Sequence, residues 1–299
     1  MNKLYRFTGT AAAAVTIAAS AAAFSAPYAA ARTTAHQSTS AASAASAAPA
    51  PASPAPQPMI PAPQPGGPAG TSATTMIDTT FSHNWGGYAV HQSGVKFRAI
   101  KATFFVPFIN CAVTPGNTSP GNFSSHWVGL DGFASNTVEQ DGIEADCSSG
   151  SAHYDAWHEV FPRPEQPVKM KIRPGDSITA SVRYSKSTRK YRLEVMDNTN
   201  GNHFTVHQRC AGSACVRASA EAISEAPSDS SGILPMADYG ASSFAAISIT
   251  GGSGQTGGIK SSHWSHSKII QVGFHSDRTI ASPTALHGRS FDVYWLGQN

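Results

Sequence analysis

Ile178, Ala180, Val182 and Tyr184 fall at every second position, a polar stretch follows at 185–188, and Tyr191, Leu193 and Val195 then resume the same spacing. A period of two puts these apolar side chains on one face of an extended strand and their polar neighbours on the other. The segment predicts a β-hairpin whose apolar face must be covered by another layer. Residues 198–202 carry Asn, Thr and Gly in turn order and lead to a third strand with Phe204 and Val206. Further strands are expected at 97–106, 125–130, 137–143, 154–161, 216–225, 242–250, 268–274 and 291–296, separated by Gly, Asn, Ser and Pro. Pro107, Pro162 and Pro174 stand at segment ends, where a missing amide donor does least harm. So many short strands without helical periodicity predict an all-β domain of two packed antiparallel sheets.

The first residues do not belong to that pattern. Lys3 and Arg6 precede an apolar run from about Ala11 to Phe24 and small residues near 28–31, so 1–31 reads as an export signal. Residues 32–75 are almost entirely Ala, Ser, Pro, Gln, Thr and Gly, a composition that buries too little apolar surface to offset its ordering entropy. This stretch is expected to be a disordered propeptide or linker, leaving 76–299 as one β-sandwich domain. Lys3, Arg6 and Arg32 are the only basic residues before Met76 and no acid precedes it, so the domain holds 18 bases against 18 acids. A balanced domain gives no electrostatic footprint for nucleic acid, and no later segment approaches the roughly 20 apolar residues of a spanning helix. The expectation is a secreted, extracellular monomer with no membrane or nucleic-acid partner. Four cysteines in an exported chain favour two disulfides, with Cys210 and Cys215 closing a local loop and Cys111 and Cys147 tying distant segments, although three pairings are possible.

The common hydrolase signatures are missing. There is no G-x-S-x-G elbow. His158 and Glu159 begin an H-E-x-x-H pattern, but Pro162 stands where its second histidine belongs. No C-x-x-C pair suggests zinc, and the glycine-rich 251–258 loop lacks a phosphate-binding pattern. No metal or cofactor is therefore expected. Asp131, Glu144, Glu159 and Glu225 remain as carboxylates from which a glycoside-hydrolysing pair could be assembled. A carbohydrate-binding sandwich without turnover is a further alternative.

Seven segments follow one another in order: Asn84-Trp85-Gly86-Gly87; TFFVP from Thr103; Trp127-Val128-Gly129-Leu130-Asp131-Gly132; Val138-Glu139-Gln140-Asp141-Gly142; YDAWHEVFP from Tyr154; Ser219-Ala220-Glu221-Ala222-Ile223-Ser224-Glu225; and LPMADYGASSF from Leu234. In this order and spacing they resemble the eqolisin family of glutamic endopeptidases, of the bacterial secreted type, over nearly all of 82–250. The resemblance implies an antiparallel β-sandwich, a concanavalin-like jelly-roll arrangement of two bent sheets with a substrate groove. It implies that Gln140 and Glu225 are the catalytic glutamine and glutamate, and that Trp127, Asp131, Glu144 and Glu159 line or support the groove. The expected partners are protein or peptide substrates. Strand alternation independently puts Trp127, Gly129 and Asp131 on one face, and Asp155, Trp157 and Glu159 on one face.

The chemistry implied is peptide hydrolysis in acid, with Glu225 activating water and then protonating the leaving amine while Gln140 stabilises the oxyanion. The chain departs from the family pattern at Ala222 and Ser224, where large apolar side chains are usual, and alternation aims both away from Glu225. His158, where Tyr is common, is expected to add a positive charge in acid and to alter groove affinity or the pH range.

Overall fold

A computed structural model of the chain describes residues 55–62, 78–112, 121–211, 215–274 and 276–298. The expected export signal, most of the expected linker and residues 212–214 between Cys210 and Cys215 lie outside them. No helix occurs among the described residues.

The strands form two layers. In the first, neighbours run in the order Pro61–Ala62, Asp78–Ser82, Ser265–Val272, Trp85–His91, Ser219–Glu225, Ser125–Leu130, Glu139–Ser148, Ser151–Val160 and Gln166–Val168. In the second they run Thr279–Pro283, Phe291–Trp295, Ala241–Thr250, Ala99–Phe105, Ser177–Ser185, Lys190–Asp197 and His203–Gln208. Hydrogen bonds between Ser265–Val272 and Thr279–Pro283 join the layers at one edge. All these pairings are antiparallel except that of Asp78–Ser82 with Ser265–Val272.

The hairpin expected from alternation forms with Tyr191 opposite Tyr184 and Leu193 opposite Val182. Its apolar face is buried in the main core, where Ile178, Ala180, Val182, Leu193 and Val195 meet Val128, Leu130, Ile143 and Ala145 of the first layer. Four strands of the first layer, Pro61–Ala62, Asp78–Ser82, Trp85–His91 and Gln166–Val168, and Thr279–Pro283 of the second were not expected from sequence. Trp85–His91 is buried through six consecutive residues, a central strand covered on both faces, so it carries no alternation to find.

Both disulfides form. Cys111 is bonded to Cys147, 36 residues on, and Cys210 to Cys215.

The first layer carries a second apolar cluster on the face turned away from the core, built from Trp85, Ala89, Trp127, Trp157 and Ile223. A sandwich usually exposes polar residues on that side. Here three tryptophans cover it, and the expected catalytic residues share their face.

Candidate active site

Strand register places the two expected catalytic residues. Glu225 pairs with Ser125, and Ser125 with Glu144. Four residues along, Glu221 pairs with Gly129, Gly129 with Gln140, and Gln140 with Glu159. The separation along each strand is even, so Gln140, Glu144, Glu159 and Glu225 all project from the tryptophan face. Trp127 occupies the row between, opposite Ile223 and Gly142.

Two glycines make room for its indole. A Cβ on Gly142 would lie 2.6 Å from the Cβ of Trp127, and a Cβ on Gly129 would lie 2.8 Å from Cζ3 of Trp127. With both side chains absent, the indole lies along the sheet and its Nε1 donates to Oε2 of Glu225 at 3.0 Å.

Glu225 is fully buried. Its Oε1 accepts a hydrogen bond from Nδ2 of Asn84 at 2.9 Å and another from the backbone N–H of Gln57 at 2.8 Å. Burial dominates its ionisation and raises its pKa well above the usual carboxylate value, against three donors that favour the charged form; the charge on Glu159 raises it further. Gln140 is also fully buried, and its Nε2 donates to Oε2 of Glu159 at 2.6 Å. Burial pushes Glu159 up to about 8, partly offset by that amide, with Glu144 adding to the rise. Glu144 is pushed up to about 7 by burial, although Ser125 Oγ donates to it at 3.2 Å. Among the described residues no hydrogen bond joins Gln140 to Glu225 directly, and Oε1 of Gln140 has no partner.

Asp131 has a different setting. Its backbone takes a left-handed conformation, φ 72°, and its carboxylate accepts the backbone N–H groups of Arg217 and Ala218 at 2.6 and 2.8 Å. Both oxygens thereby anchor the segment leading into Ser219–Glu225.

Behind Glu225, on the core side, Oγ of Ser224 lies 3.0 Å from Nδ1 of His126, and the edge of Tyr239 packs on the imidazole. His126 and Tyr239 thus pack beside Ser224, and Ala222 is buried in the main core. Complete burial lowers the pKa of His126 to about 3, so it stays neutral. The expectation for His158 is corrected. It lies on the opposite side of its strand from Glu159, stacked on Phe204, and burial lowers its pKa. It brings no charge to the tryptophan face because alternation turns its ring to the other side of the sheet.

Sequence reasoning gave no role to Asn84, whose strand neighbour Trp85 pairs with Glu225. The signal was present in Asn84-Trp85-Gly86-Gly87, but nothing in the sequence shows that this segment borders Glu225.

The peptidase A4 family profile matches residues 83–295. The chain belongs to the peptidase A4 family. Three solved structures share the fold of this A4 peptidase. Scytalido-glutamic peptidase with a transition-state analogue inhibitor has a TM-score of 0.60 at 22% identity, covering 72% of this chain and 98% of that one. SCP-B, an eqolisin-family peptidase in complex with the tripeptide Ala-Ile-His, gives 0.56 at 23% identity over 72% and 98%. Aspergilloglutamic peptidase from Aspergillus niger gives 0.51 at 24% identity over 58% and 99%. Comparison with curated protein sequences finds no match. This A4 peptidase is a glutamic endopeptidase with the all-β sandwich expected from its alternating segments. That assignment favours peptide hydrolysis over the carbohydrate alternatives.

Proposed function

We propose that this A4 peptidase is a secreted enzyme that cleaves protein substrates in acid, using Glu225 and Gln140 as its catalytic pair. Glu225, as carboxylate, removes a proton from water as the water oxygen attacks the scissile carbonyl carbon. An N–H of Gln140 stabilises the oxygen that gains charge, an interaction made mainly in the transition state. Glu225 then gives the same proton to the departing nitrogen as the C–N bond breaks, which releases an acid and an amine and restores the carboxylate.

The observation that carries this reading is the setting of Glu225, a buried carboxylate on a tryptophan-lined face with a peptide backbone N–H 2.8 Å from its Oε1. Preference for acid follows from its neighbours. Below about 8 Glu159 is protonated, so no negative charge stands beside the Gln140 amide where the oxyanion develops, and the Asn84 and Trp127 donors favour the Glu225 carboxylate against its burial. As Glu159 ionises, its charge opposes the oxyanion at Gln140 and raises the pKa of Glu225. Substrates are unfolded proteins or exposed segments, since only an extended chain lies flat along a sheet face.

The experiment is to incubate the purified secreted protein with denatured protein across the acid range, with pepstatin and with chelator. Cleavage is expected to survive both additives, to be abolished by Glu225→Gln, and to fall by about 10²-fold or more in Gln140→Ala. A Glu225→Gln variant that folds and retains full activity would remove Glu225 from the mechanism.

A further inference from the structure

The balance of 18 bases against 18 acids in the domain hides a local asymmetry at the tip of the second-layer hairpin. Residues 183–192 read RYSKSTRKYR, five bases in ten positions. The segments beside this tip, 93–101 and 241–258, add Lys96, Arg98 and Lys101, and none of the three segments contains an acid or a histidine. Strand register brings them together, because Ala99 pairs with Arg183 on one side and with Thr250 on the other. At the strand end, Arg98 donates its backbone N–H to Thr250 O and accepts that of Tyr184, both at 2.7 Å.

A cleft of about 500 Å3 opens here, lined by Arg98, Arg183, Lys186, Ser185, Ser187 and Thr250. Two guanidiniums, an ammonium and three hydroxyls converge on it, and all six groups donate hydrogen bonds. Among the described residues none of the three cations forms an ion pair or a side-chain hydrogen bond. Neighbouring bases do find partners, Arg192 with Glu194 and Arg217 over the Tyr184 ring at 3.9 Å. The tip is held by its own backbone. Arg189 takes a left-handed conformation, φ 54°, its N–H donates to Ser185 O at 2.9 Å, and Ser185 Oγ lies 3.0 Å from Ser187 Oγ. The two serine hydroxyls are thus presented on a preformed turn, so little is lost in ordering them around a ligand.

We propose that this cleft is an anchoring site, separate from the substrate face, for the phosphate groups of a phosphodiester-linked polyol polymer outside the cell. Three like charges in one cleft repel one another, and a bound anion relieves that repulsion. Guanidinium forks match the paired oxygens of phosphate. Acid selects phosphate over carboxylate, because a phosphodiester keeps its charge where Asp and Glu, with ordinary pKa values of about 4, lose theirs. A polymer that repeats the charge engages Arg98, Arg183 and Lys186 together and continues onto Lys96, Arg189 and Lys190. Nucleobases are not what the site reads, since Tyr191 is buried and Tyr184 is held between Arg217 and Tyr191, so neither ring is free to stack on a base. Nor is a phosphorylated substrate. The cleft is built from second-layer strands and their ends, whereas the tryptophan face belongs to the first layer, so a bound polymer leaves the catalytic face open. The inference does not depend on which residues cut the peptide.

The test is calorimetric titration of a synthetic glycerol phosphate oligomer into the purified protein at about pH 3 and about pH 7. Comparable affinity at both is expected, with a loss of about tenfold between about 50 and about 200 mM salt; no binding at either pH overturns the proposal. Arg183→Ala/Lys186→Ala is expected to weaken binding by about tenfold or more. Lys169→Ala/Lys171→Ala, which removes the same charge just beyond the Gln166–Val168 edge strand, is expected to change it by less than about twofold. All four side chains are exposed, so both variants are expected to fold. Equal loss in the two variants reduces the effect to net charge and overturns the site. Polyglutamate is expected to bind at the higher pH and to be released at the lower, and its retention in acid contradicts the selection of phosphate. A single-stranded oligonucleotide or a phosphoserine peptide with as many phosphates is expected to bind no tighter than the oligomer; tighter binding of either assigns the cleft to that class and overturns the polymer. Saturating oligomer is expected to leave cleavage of a short peptide unchanged, whereas competitive inhibition would place it on the tryptophan face instead.

Discussion

The indole Nε1 of Trp127 donates to Oε2 of Glu225 at 3.0 Å, linking adjacent strands of the first layer through one side-chain bond in a fully buried setting. A donor to a charged acceptor favours ionisation and contributes about 1.5 to 3 kcal/mol. Trp127→Phe keeps most of the packing and removes that donor. The pKa of Glu225 then rises, so the carboxylate is lost at a higher pH on acidification. The acid limb of kcat/KM against pH is expected to move upward in this variant, and an unmoved limb would detach Trp127 from the ionisation of Glu225.

Gly129 holds the indole in place by having no side chain. An added Cβ would stand 2.8 Å from Trp127 Cζ3 and 3.3 Å from Gln140 Cβ. Gly129→Ala is expected to displace the indole, reduce kcat by about tenfold or more, and leave the circular dichroism of the sheet intact. Wild-type kcat in this variant would mean that the indole has freedom the packing does not suggest.

Stability should be greatest in acid. Nine acidic groups, Asp131, Glu139, Asp141, Glu144, Asp146, Glu159, Glu165, Glu221 and Glu225, have raised pKa values, in each case chiefly through burial. A carboxyl raised in the folded state keeps its proton where the unfolded chain has lost it, so its stabilisation is complete below the unfolded value and declines as pH rises through the folded one. For Glu144 and Glu159 that decline runs from about 4.5 up to about 7 and about 8. Four histidines, His91, His126, His158 and His266, are lowered and act in the opposite sense; for His126 stability grows from about 3 to about 6.5. The carboxyls outnumber them, so the melting temperature is expected to fall between about pH 4.5 and about pH 8, with a shallower fall in Glu159→Gln. Scanning calorimetry across that range checks the sign, and a rising melting temperature contradicts it.

The Ser224 hydroxyl meets Nδ1 of His126 at 3.0 Å inside the core. Ser224→Ala leaves that buried nitrogen unpaired at a cost of about 1 to 3 kcal/mol. Urea unfolding should register the loss, while activity at moderate temperature stays near wild type because the pair lies behind the catalytic face. A drop in kcat without a drop in stability would contradict this division.

The 178–195 hairpin was legible because one of its faces is buried and the other is not, which writes the period of two into the residues. The Trp85–His91 strand was not, because burial on both sides erases that period. Both disulfides could be proposed from the count and placement of cysteines. Gln140 and Glu225 were reached through motif resemblance, since as isolated residues neither has a distinguishing local pattern. The Asp131 carboxylate, read as groove-lining, bonds to backbone amides of residues 86 and 87 positions further on.

Alternation, composition and ordered motifs in the sequence alone determined the all-β class, the strands with one covered face and the family resemblance, because those properties are set by residues close together along the chain. The tertiary structure decided that Asn84 and Trp127 converge on Glu225, that Glu159 holds Gln140, and that Gln57 reaches the same carboxylate from 168 residues away. Those contacts depend on which strands become neighbours and in what register, and packing the two apolar layers together fixes both only when the whole domain has folded.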